Sequence, residues 1–492
     1  MNPTSCSCQF PCNSQPFAMT SAPVLPLHSE SLRVAIITEN FLPKIDGVTI
    51  TLAHLLEHLK VRGAKAMLLG PESGMAEYAG CRLFGTFGVP LKVYPGLKIN
   101  FISAAFIRAL REFKPDVIHL VDPIWLGVQA LAAITILFPG IPVVTSHHTN
   151  LPTYATIFGY PYYHHRTWQI HCYLHSFAKY TLVPSASTAD LLEQKGFANL
   201  RVCHRGVDPL FNPSLRSGAL RESWGVKPGD LVVLSVGRLS PEKNLSLVVE
   251  SFSLLPPSVR ERAKLVFVGD GPFRLDLQQL CVAKGVQAIF TGQLTGTALG
   301  AAFASADIMS SPSITETFGQ VTLQAMASGL PVVGLNAEGT ADLVVHRTTG
   351  LLLDVHAATD ARPGVPLGPV ACFRSAAHLM RPTGPAFGAV AARYAQLLAA
   401  VLSAPPECRR EMGRAALAAA RKYPWERCTE RILDTYVEAR GCAPAPGVGA
   451  GPGPGALQVV LDALVVVHAL VAATLSHFSY MVPTAADLFG LR

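Results

Sequence analysis

Short β-branched runs alternate with longer runs of helical character along most of the chain. RVAIIT, which begins at Arg33, is followed by the helix-like segment VTITLAHLLEHLKVRG and then by KAMLLGP. Further apolar runs, DVIHLV, PVVTSHH and YTLVPSA, are separated by helical stretches and punctuated by Gly and Pro. Strands that alternate with helices predict a doubly wound parallel sheet, with ligands at the carboxyl ends of the strands.

A second series of the same kind begins with LVVLSVG at Leu231 and continues through KLVFVGDGP, AIFTG, ADIMSSPS and PVVGLN. The Pro-containing segment GVDPLFNPSLRSGALRESWGVKPGD separates the two series and predicts the connection between two lobes. We therefore predict an α/β protein with two Rossmann-like domains that face a cleft. Residues 32–212 are assigned to the N-terminal domain and residues 213–440 to the C-terminal domain.

Three segments do not follow this alternation. Residues 1–31 are rich in Ser, Pro and Thr and carry one acid, Glu30, and no Lys or Arg. This composition predicts a disordered or targeting tail rather than a secretory signal. Residues 355–390, rich in Pro and Ala, are predicted to be a loop insertion, and residues 441–456 are predicted to be a flexible Gly/Pro linker.

The linker leads to an apolar segment at residues 457–482, LQVVLDALVVVHALVAATLSHFSYMV, which is about long enough to cross a bilayer. Gln458, Asp462 and His468 each make a crossing more costly. Three alternatives stay open: a transmembrane helix, a helix that lies in the membrane surface, and a helix packed on the protein. We predict that this segment associates with a membrane.

Composition narrows the function classes. The 492 residues are 50% hydrophobic and 15% charged, which suits strands that are buried on both faces. The net charge of +7 is spread thinly, without the basic clusters of a nucleic-acid-binding surface, and supports a preference for anionic ligands or an anionic membrane surface. Eleven mostly scattered cysteines indicate a reducing compartment, and the Cys6, Cys8 and Cys12 cluster lacks the matching ligands of a zinc site.

Two strand-to-helix turns carry candidate binding residues. Gly47 opens a helix with Thr49 and Thr51, where free N–H groups and the helix dipole would face an anion. In SVGRLSPEKNL, Arg238 follows the Gly that ends a strand and Lys243 lies at the start of the next helix. Two such cations suit a diphosphate. Taken alone, an ordinary turn and solvated loop cations would explain the same residues.

The stretch SPSITETFGQVTLQAMASG adds an acid to these candidates. Glu316 follows a strand. Main-chain N–H groups at the start of the next helix come from Thr317, Phe318 and Gly319. Gln324 is about two helical turns after Glu316 and is predicted to face the same side. A nucleotide-sugar at this helix N-terminus would meet N–H donors, a carboxylate and an amide that reaches toward a ribose.

In their order along the chain, these motifs resemble those of family 4 retaining glycosyltransferases with the GT-B fold. The resemblance rests on SVGRLSPEKNL, FVGDGP, FTGQL, TETFG, AMASGLPVV and KYPWERC and covers about residues 33–440. The family signature E-x7-E is matched by Glu316, whereas Gln324 replaces the second acid. Within the family, the chain looks like sulfoquinovosyltransferases and GDP-mannose-dependent α-mannosyltransferases, which share SHHTNLPTY, TLVPSASTADLL, RGVDPLFNPSLRS and GRLSPEK.

The resemblance implies that the N-terminal domain binds the acceptor and the C-terminal domain binds the nucleotide-sugar. Arg238 and Lys243 would hold the donor diphosphate and assist its departure. Glu316 would contact the donor sugar, and Gln324 would take the ribose-binding position, where an amide lacks the charge-assisted bond of Glu. The other implied donor-site positions are Gly47, whose loop would cover the phosphates, Asp270 and Gly271 near the cleft, and the backbone N–H groups of Thr317, Phe318 and Gly319.

Histidines supply further candidates. His148, the second histidine of SHHTN, falls where the family places a histidine beside the reacting sugar. A neutral imidazole there could hydrogen-bond a hydroxyl or stabilise charge. His147 is predicted to be a packed residue at a strand end. His164 and His165 are predicted to lie on a wet aromatic surface near an acceptor entrance.

The predicted reaction is a hexosyl transfer with net retention that requires no metal and no cofactor, because cations offset the charge on the departing diphosphate. The first choice is transfer from UDP-sulfoquinovose to a lipid hydroxyl such as that of diacylglycerol, at a chloroplast membrane. The alternative is GDP-mannose-dependent α-mannosyl transfer, at the cytoplasmic face of a membrane. An alternative of another class, favoured by Gln324, is a catalytically weak nucleotide-sugar-binding module. The absence of G-x-G-x-x-G argues against a dehydrogenase.

Overall fold

A computed structural model describes residues 32–43, 46–90, 98–153, 161–354 and 385–441. The predicted tail at residues 1–31, the Cys6, Cys8 and Cys12 cluster and the apolar segment at residues 457–482 lie outside the described residues. Most of the predicted linker and most of the predicted insertion do so as well. The expectations for these segments stay predictions.

The N-terminal domain is built on a sheet of nine strands. The strands are β1 (Arg33–Thr38), β2 (Lys65–Pro71), β3 (Glu77–Tyr78), β4 (Cys81–Pro90), β5 (Lys98–Phe101), β6 (Val117–Val121), β7 (Val143–Ser146), β8 (Tyr180–Val183) and β9 (Leu200–Val202). A parallel series runs in the order β4-β2-β1-β6-β7-β8-β9, and β3 and β5 pair with β4 in the antiparallel direction. The helices are α1 (Gly47–Val61), α2 (Ala104–Phe113), α3 (Leu126–Leu137), α4 (Pro161–Ser176) and α5 (Ala186–Gln194).

The C-terminal domain is built on a sheet of six parallel strands. These are β10 (Leu231–Val236), β11 (Ala263–Val268), β12 (Ala288–Phe290), β13 (Ile308–Ser311), β14 (Val332–Leu335) and β15 (Gly350–Leu353). The remaining helices are α6 (Gly218–Ser223), α7 (Leu245–Ser253), α8 (Pro257–Arg260), α9 (Arg274–Ala283), α10 (Gly296–Ser305), α11 (Gln320–Ala327), α12 (Glu338–Leu343), α13 (Pro385–Ser403), α14 (Pro406–Ala420) and α15 (Trp425–Gly441).

In each sheet, successive strands are added on one side of the first strand and later strands on its other side, so the strand order reverses once. The order of the second sheet is β12-β11-β10-β13-β14-β15, so the reversal lies between β10 and β13. In the first sheet it lies between β1 and β6. Ligands of open parallel sheets bind in the crevice beyond the carboxyl ends of the strands at such a reversal. The two predicted Rossmann-like domains are confirmed, and their topology marks two positions for a binding site.

Burial on both faces explains why the strands are continuous apolar runs. Every residue of β6, β13 and β14 is buried, because helices cover both sides of a parallel sheet. Successive residues of β1 belong to different layers of the core. Ile36 packs in the cluster that contains Leu52 of α1, whereas Ile37 packs in the cluster that contains Phe106 of α2.

The last helix, α15, returns to the N-terminal domain. Ile432, Leu433 and Tyr436 are buried in the same cluster as the residues of α1. The Tyr436 hydroxyl lies 2.7 Å from His119 Nδ1 on β6. The sequence prediction assigned residues 213–440 to the C-terminal domain, and α15 departs from it because its apolar face packs against the N-terminal domain.

The chain crosses between the domains twice, and the two crossings pair with each other. Val207 and Pro424 form an isolated parallel bridge, and Val207 N donates to Tyr423 O at 2.9 Å. A Cβ atom at position 206 would lie 2.5 Å from Trp425 Cα, so Gly206 permits this close approach. The two connections therefore form one paired link.

The predicted insertion at residues 355–390 is shorter than the sequence suggests. Helix α13 begins at Pro385, and Phe387 and Val390 are buried in the C-terminal core. The Ala-rich composition that suggested a loop is also favourable to a helix. Residues 385–390 are therefore part of the packed domain.

No single helix in the described part of the chain is long and apolar enough to cross a membrane. Two consecutive helices, Phe387–Ser403 and Pro406–Ala420, meet the requirements of length and composition only together, and they are bent by 107°.

Truncation of Leu433 should loosen the packing of α15. Leu433 is fully buried, and a buried Leu→Ala change typically costs about 2–5 kcal/mol of stability. We expect Leu433→Ala to lower the thermal unfolding midpoint clearly. Arg427→Ala, at an exposed position of the same helix, should change it little. Equal midpoints for the two variants would contradict the packing of α15 on the N-terminal domain.

Candidate active site

The reversal between β10 and β13 brings a cation and an acid together. Lys243 ends the short 3-10 helix after β10, and Glu316 lies in the loop after β13. Lys243 Nζ and Glu316 Oε1 are 2.6 Å apart, and both side chains are mostly shielded from solvent. Shielding strengthens such a charged hydrogen bond because water competes with it less. Arg238, exposed just beyond the end of β10, is a second cation at this edge.

Glu338 is a second acid at the same edge and begins α12 after β14. Burial, and after it the charge of Glu316, raise the pKa of Glu338 to about 8. Asn150 Nδ2 approaches its two carboxyl oxygens at 3.2 and 3.3 Å. Near neutral pH this carboxyl is therefore largely protonated and can donate a hydrogen bond to a sugar hydroxyl or to an oxygen that gains charge.

On the N-terminal side of the cleft, Asp122 organises the loop that follows β7. Its carboxylate accepts hydrogen bonds from His148 N at 2.8 Å, Thr149 N at 3.3 Å and Thr149 Oγ1 at 2.6 Å. Asp122 follows β6, and its φ of 47° lies in the left-handed region. Because β6 and β7 are neighbours in the sheet, the acid that ends one strand fixes the loop that leaves the other.

His148 is held on its other side by Arg205. Arg205 Nη2 lies 3.2 Å from His148 Nδ1, and Arg205 itself is buried. Burial and the Arg205 charge hold the pKa of His148 well below its usual range. The imidazole is therefore neutral near pH 7. Since Nδ1 accepts from the guanidinium, the proton resides on Nε2, which can donate to a ligand.

Gly47 gives Arg205 the space that it occupies. A Cβ atom at position 47 would lie 2.2 Å from Arg205 Nη1. The predicted free N–H groups at this helix start are only partly present, because Asp46 Oδ1 accepts from Val48 N at 3.0 Å and from Thr49 N at 2.9 Å. That part of the sequence prediction is wrong, since a capping side chain takes up the N–H groups. The observed contact of Gly47 is with a buried cation.

Hydrogen bonds join the two domains around these groups. Thr317 Oγ1 donates to His148 O at 2.9 Å, and Thr188 Oγ1 donates to Thr317 O at 3.0 Å. Gln320 Nε2 donates to Gly206 O at 2.8 Å. The TFG turn before α11 is thus bonded directly to the loop that carries His148. The two edges form one cleft with cations, acids and a neutral histidine around it.

Two family models match the chain in succession. "Glycosyltransferase Family 4" covers residues 45–210, and "Glycosyl transferases group 1" covers residues 217–364. The GDP-mannose-dependent alpha-mannosyltransferase of Mycobacterium tuberculosis is 37% identical over 331 residues, which are 66% of this chain and 84% of the relative. The chain is a family 4 glycosyltransferase.

Other relatives carry different names. Sulfoquinovosyl transferase SQD2 of Arabidopsis thaliana is 34% identical over 308 residues, 61% of this transferase and 58% of the relative. Alpha-monoglucosyldiacylglycerol synthase of Streptococcus pneumoniae is 25% identical over 317 residues, 61% of this transferase and 70% of the relative. The family and these relatives confirm the predicted enzyme class, a hexosyltransferase.

Solved structures confirm the fold. The sucrose-phosphate synthase of Thermosynechococcus elongatus superposes with a TM-score of 0.63 at 17% identity, over 83% of this transferase and 98% of that chain. At this identity the likeness concerns the fold alone. The architecture is the GT-B fold that the sequence predicts, with two Rossmann-like domains and a cleft between them.

The turn that follows Glu316 differs from the predicted geometry in one respect. Helix α11 begins at Gln320, and Gly319 before it has a φ of 87°, a conformation that favours Gly. Glu316 therefore lies outside the helix, and helical spacing does not place Gln324 on its side. Gln324 is buried within α11, and its ribose role stays a prediction. Phe318 is buried in the domain core, which anchors the turn.

Asp270 and Gly271 follow β11, next to the end of β10. The Asp270 carboxylate accepts from Arg274 Nη1 at 3.0 Å. A Cβ atom at Gly271 would lie 2.3 Å from Leu239 O, so glycine lets the two strand ends approach closely. The structure thus gives Gly271 a packing reason and pairs Asp270 with a cation on its own side of the turn.

The remaining predicted histidines are His147, after β7, and His164 and His165, on α4. His147 is fully buried at the end of β7. His164 Nδ1 donates to Pro152 O at 2.9 Å, and His164 Nε2 accepts from Trp168 Nε1 at 3.2 Å. His165 is exposed on α4. The predicted role of His164 and His165 at an acceptor entrance stays a prediction.

Sequence reasoning missed four groups of the cleft: Asp122, Asn150, Arg205 and Glu338. One signal was available, because Asp122 and Glu338 each follow a strand at its carboxyl end, where polar residues of a parallel sheet collect. Arg205 and Asn150 carry no comparable signal, since their partners are remote in sequence.

Gly47→Ala should slow the transferase without unfolding it. The new methyl group would displace the Arg205 guanidinium from His148, and the displaced atoms belong to the end of a flexible side chain. A misplacement of about 1 Å near reacting groups can cost about 100-fold in rate. Gly218→Ala, at a helix start with open space around its Cβ position, is the matched control. Wild-type turnover by Gly47→Ala would contradict the role of this contact.

Glu338→Gln should stabilise the protein more at high pH than at low pH. Glu338 has an ordinary pKa of 4.5 in the unfolded chain and about 8 in the folded chain. The folded state therefore holds a proton that the unfolded state releases, and stability is lost as pH rises through this window. The thermal midpoint of Glu338→Gln relative to wild type should rise from about pH 5 to about pH 9. Glu411→Gln, exposed on α14, is the control, and a pH-independent difference would contradict the raised pKa.

Proposed function

We propose that this transferase moves a hexosyl group from a nucleotide-diphosphate sugar to a lipid hydroxyl, with retention and without a metal at the diphosphate. The observation that carries the proposal is the Lys243–Glu316 pair at the reversal between β10 and β13. Glu338 lies beside this pair, and Thr317, next to Glu316, donates a hydrogen bond to the main-chain oxygen of His148 in the other domain.

In this proposal the donor diphosphate lies against Lys243 and Arg238. The departing diphosphate gains negative charge as its bond to the sugar breaks, and fixed cations stabilise that charge. Glu316 Oε1 accepts a hydrogen bond from Lys243 Nζ at 2.6 Å. The ammonium group is thereby oriented in advance, which reduces the cost of arranging it during the reaction.

The sugar is assigned to His148, Glu338 and Glu316. Neutral His148 has an Nε2–H to donate, and protonated Glu338 can also donate, whereas Glu316 accepts. A hexose offers hydroxyls that need both kinds of partner. In a retaining transfer, the acceptor hydroxyl attacks the face of the sugar from which the diphosphate leaves. The cations that bind the diphosphate and the entrance for the acceptor must therefore lie on the same side of the sugar.

Two donors compete in this proposal. The sequence prediction ranks UDP-sulfoquinovose first and GDP-mannose second. The similarity to relatives favours GDP-mannose instead. This chain matches the mannosyltransferase relative over 84% of its length but the sulfoquinovosyl transferase over 58% of its length. We therefore place GDP-mannose first and keep UDP-sulfoquinovose as the second candidate.

A membrane lipid is the proposed acceptor. Support comes from the name of the alpha-monoglucosyldiacylglycerol synthase relative and from the predicted membrane association of residues 457–482, which lie outside the described part of the chain. A cleft that opens toward a bilayer surface would meet a lipid hydroxyl there.

A nucleotide-sugar-binding module without turnover is the candidate of another class. It is favoured by Gln324, an amide at the second acid position of the family signature. An amide can bond ribose hydroxyls but lacks a charge-assisted bond. Binding of a nucleotide-sugar without its hydrolysis or transfer would support this candidate.

Lys243→Ala should lower kcat by about 100–1,000-fold, the range for losing one group that stabilises transition-state charge. KM should rise less, because the charge develops mainly as the diphosphate leaves. Lys227→Ala, exposed in the loop before β10, is the matched control for the loss of one positive charge. Steady-state kinetics that show full turnover by Lys243→Ala would remove the diphosphate assignment.

The proposed reaction is tested with the purified full-length protein. It is given GDP-mannose or UDP-sulfoquinovose together with vesicles of membrane lipid extract, with and without added diacylglycerol, and lipid products are identified by mass spectrometry. We expect a mannosyl lipid whose anomeric configuration, measured by NMR, equals that of the donor. Lys243→Ala should form the same product at a rate lowered by about 100–1,000-fold. An inverted anomer, or transfer from neither donor, would overturn the proposal.

A further inference from the structure

Three buried histidines meet behind the loop that carries His148. His147 directly follows β7, and His171 and His175 lie four residues apart on α4, so that they share one face of the helix. One ring nitrogen of each lies within 4.8 Å of the other two, and all three side chains are buried. The reaction described above uses none of these rings. We call them the triple-histidine cluster.

Hydrogen bonds leave lone pairs within this cluster. His147 Nε2 lies 3.0 Å from Asn150 Oδ1, an acceptor, so Nε2 carries the proton and Nδ1 carries the lone pair. His175 Nδ1 is 2.8 Å from Thr145 Oγ1, which leaves Nε2 for another partner. His147 Nδ1 and His171 Nδ1 are buried without a hydrogen-bond partner among the described residues. Buried polar atoms in this state are costly and call for a bound partner.

We propose that His147, His171 and His175 bind one first-row divalent cation, with Zn²⁺ the best match. Neutral imidazoles suit Zn²⁺, Cu²⁺ and Ni²⁺, whereas carboxylates and carbonyls suit Mg²⁺ and Ca²⁺. Three ligands at Zn–N distances of about 2.0–2.1 Å place their nitrogens about 3.3 Å apart in tetrahedral geometry. The ligand nitrogens, now within 4.8 Å of one another, must therefore approach by up to about 1.5 Å, a movement that rotation of the imidazoles can supply.

The surroundings of the cluster are those of a metal site. Asn150 and Thr145 orient two of the rings through the nitrogen that faces away from the ion, as outer partners of zinc-binding histidines do. The rings of Trp168 and Phe197, with centroids 6.4 Å from that of His147, add an apolar border. The Asp122 side chain lies near enough to His147 to interact with it electrostatically.

This site differs in place and in role from the donor site. His147 precedes His148, and Asn150 joins the cluster to Glu338 across the cleft. A cation that ties β7 to α4 would therefore hold the loop of His148 and Asn150 in position without touching the diphosphate. The proposal is a structural metal site, and it stands whether or not the proposed donor is correct.

The test uses full-length protein without a histidine tag, freed of metal by chelation. Zn²⁺ is titrated in competition with a chromophoric chelator, and Co²⁺ is titrated while visible absorption is recorded. We expect one ion per chain, a Co²⁺ spectrum of a nitrogen-coordinated site, and binding that is weaker by at least about 100-fold in His171→Gln. His165→Gln, exposed on the same helix, is the matched control and should bind as wild type does.

Either of two results would overturn the proposal: wild-type protein that holds no Zn²⁺ against the chelator, or equal affinity in wild type and His171→Gln. Circular dichroism of the metal-free variants checks that they fold. His171→Leu fills the same space with an apolar side chain and serves if the Gln variant does not fold. If both variants fail to fold, the Zn²⁺ stoichiometry and the Co²⁺ spectrum of the wild-type protein test the metal site. If neither shows a bound ion, the proposal is wrong and the three histidines form a hydrogen-bonded cluster.

Discussion

The carboxylate of Asp122 is the constraint on which the N-terminal wall of the cleft depends. It is buried, and it accepts three hydrogen bonds from the backbone and side chain of the loop after β7. A buried carboxyl group is stable in such a place only if its oxygens are paired, and the loop is ordered only if its N–H groups find an acceptor. The same hydrogen bonds meet both requirements, because the loop supplies the donors and Asp122 supplies the acceptor. Because His148 and Asn150 belong to this loop, the histidine at the cleft and the amide that holds Glu338 both inherit their positions from Asp122.

The charges around the cleft are balanced in pairs rather than spread evenly. Lys243 offsets Glu316, while Glu338, which lies close to the same carboxylate, avoids a second negative charge by retaining its proton. Arg205 is placed against His148, whose pKa is lowered first by burial and then by the Arg205 charge, so the imidazole stays neutral. The result is a set of donors and acceptors of fixed polarity in a partly shielded cleft, where such groups act more strongly than in water.

The sheets and one edge of the site could be predicted from sequence, because both rest on local patterns. Buried parallel strands are continuous apolar runs, and Lys243 and Glu316 stand just after two of them. The relation between Glu316 and Gln324 could not be predicted, because it depends on where α11 begins, and a Gly at φ 87° sets that point. Contacts such as that of Arg205 with the Gly47 position join segments that only the completed sheet brings together. The same limit hid the third member of the triple-histidine cluster, since helical spacing reveals only the pair on α4.

The paired crossings at Val207 and Pro424 determine the mechanics of the cleft. The two crossing segments run side by side and are joined by a hydrogen bond. Rotation of one domain about the line of this pair keeps both segments at their length, whereas sliding or twisting would stretch one segment against the other. In such a rotation the displacement of a residue grows with its distance from the paired crossings, so the parts of the cleft farthest from them move most. Helix α15 follows the second crossing directly and packs on the N-terminal domain, so it fixes that crossing to this domain. A chain that ended before Trp425 would lose the second covalent crossing and, with α15, the side chains that fill one face of the N-terminal core.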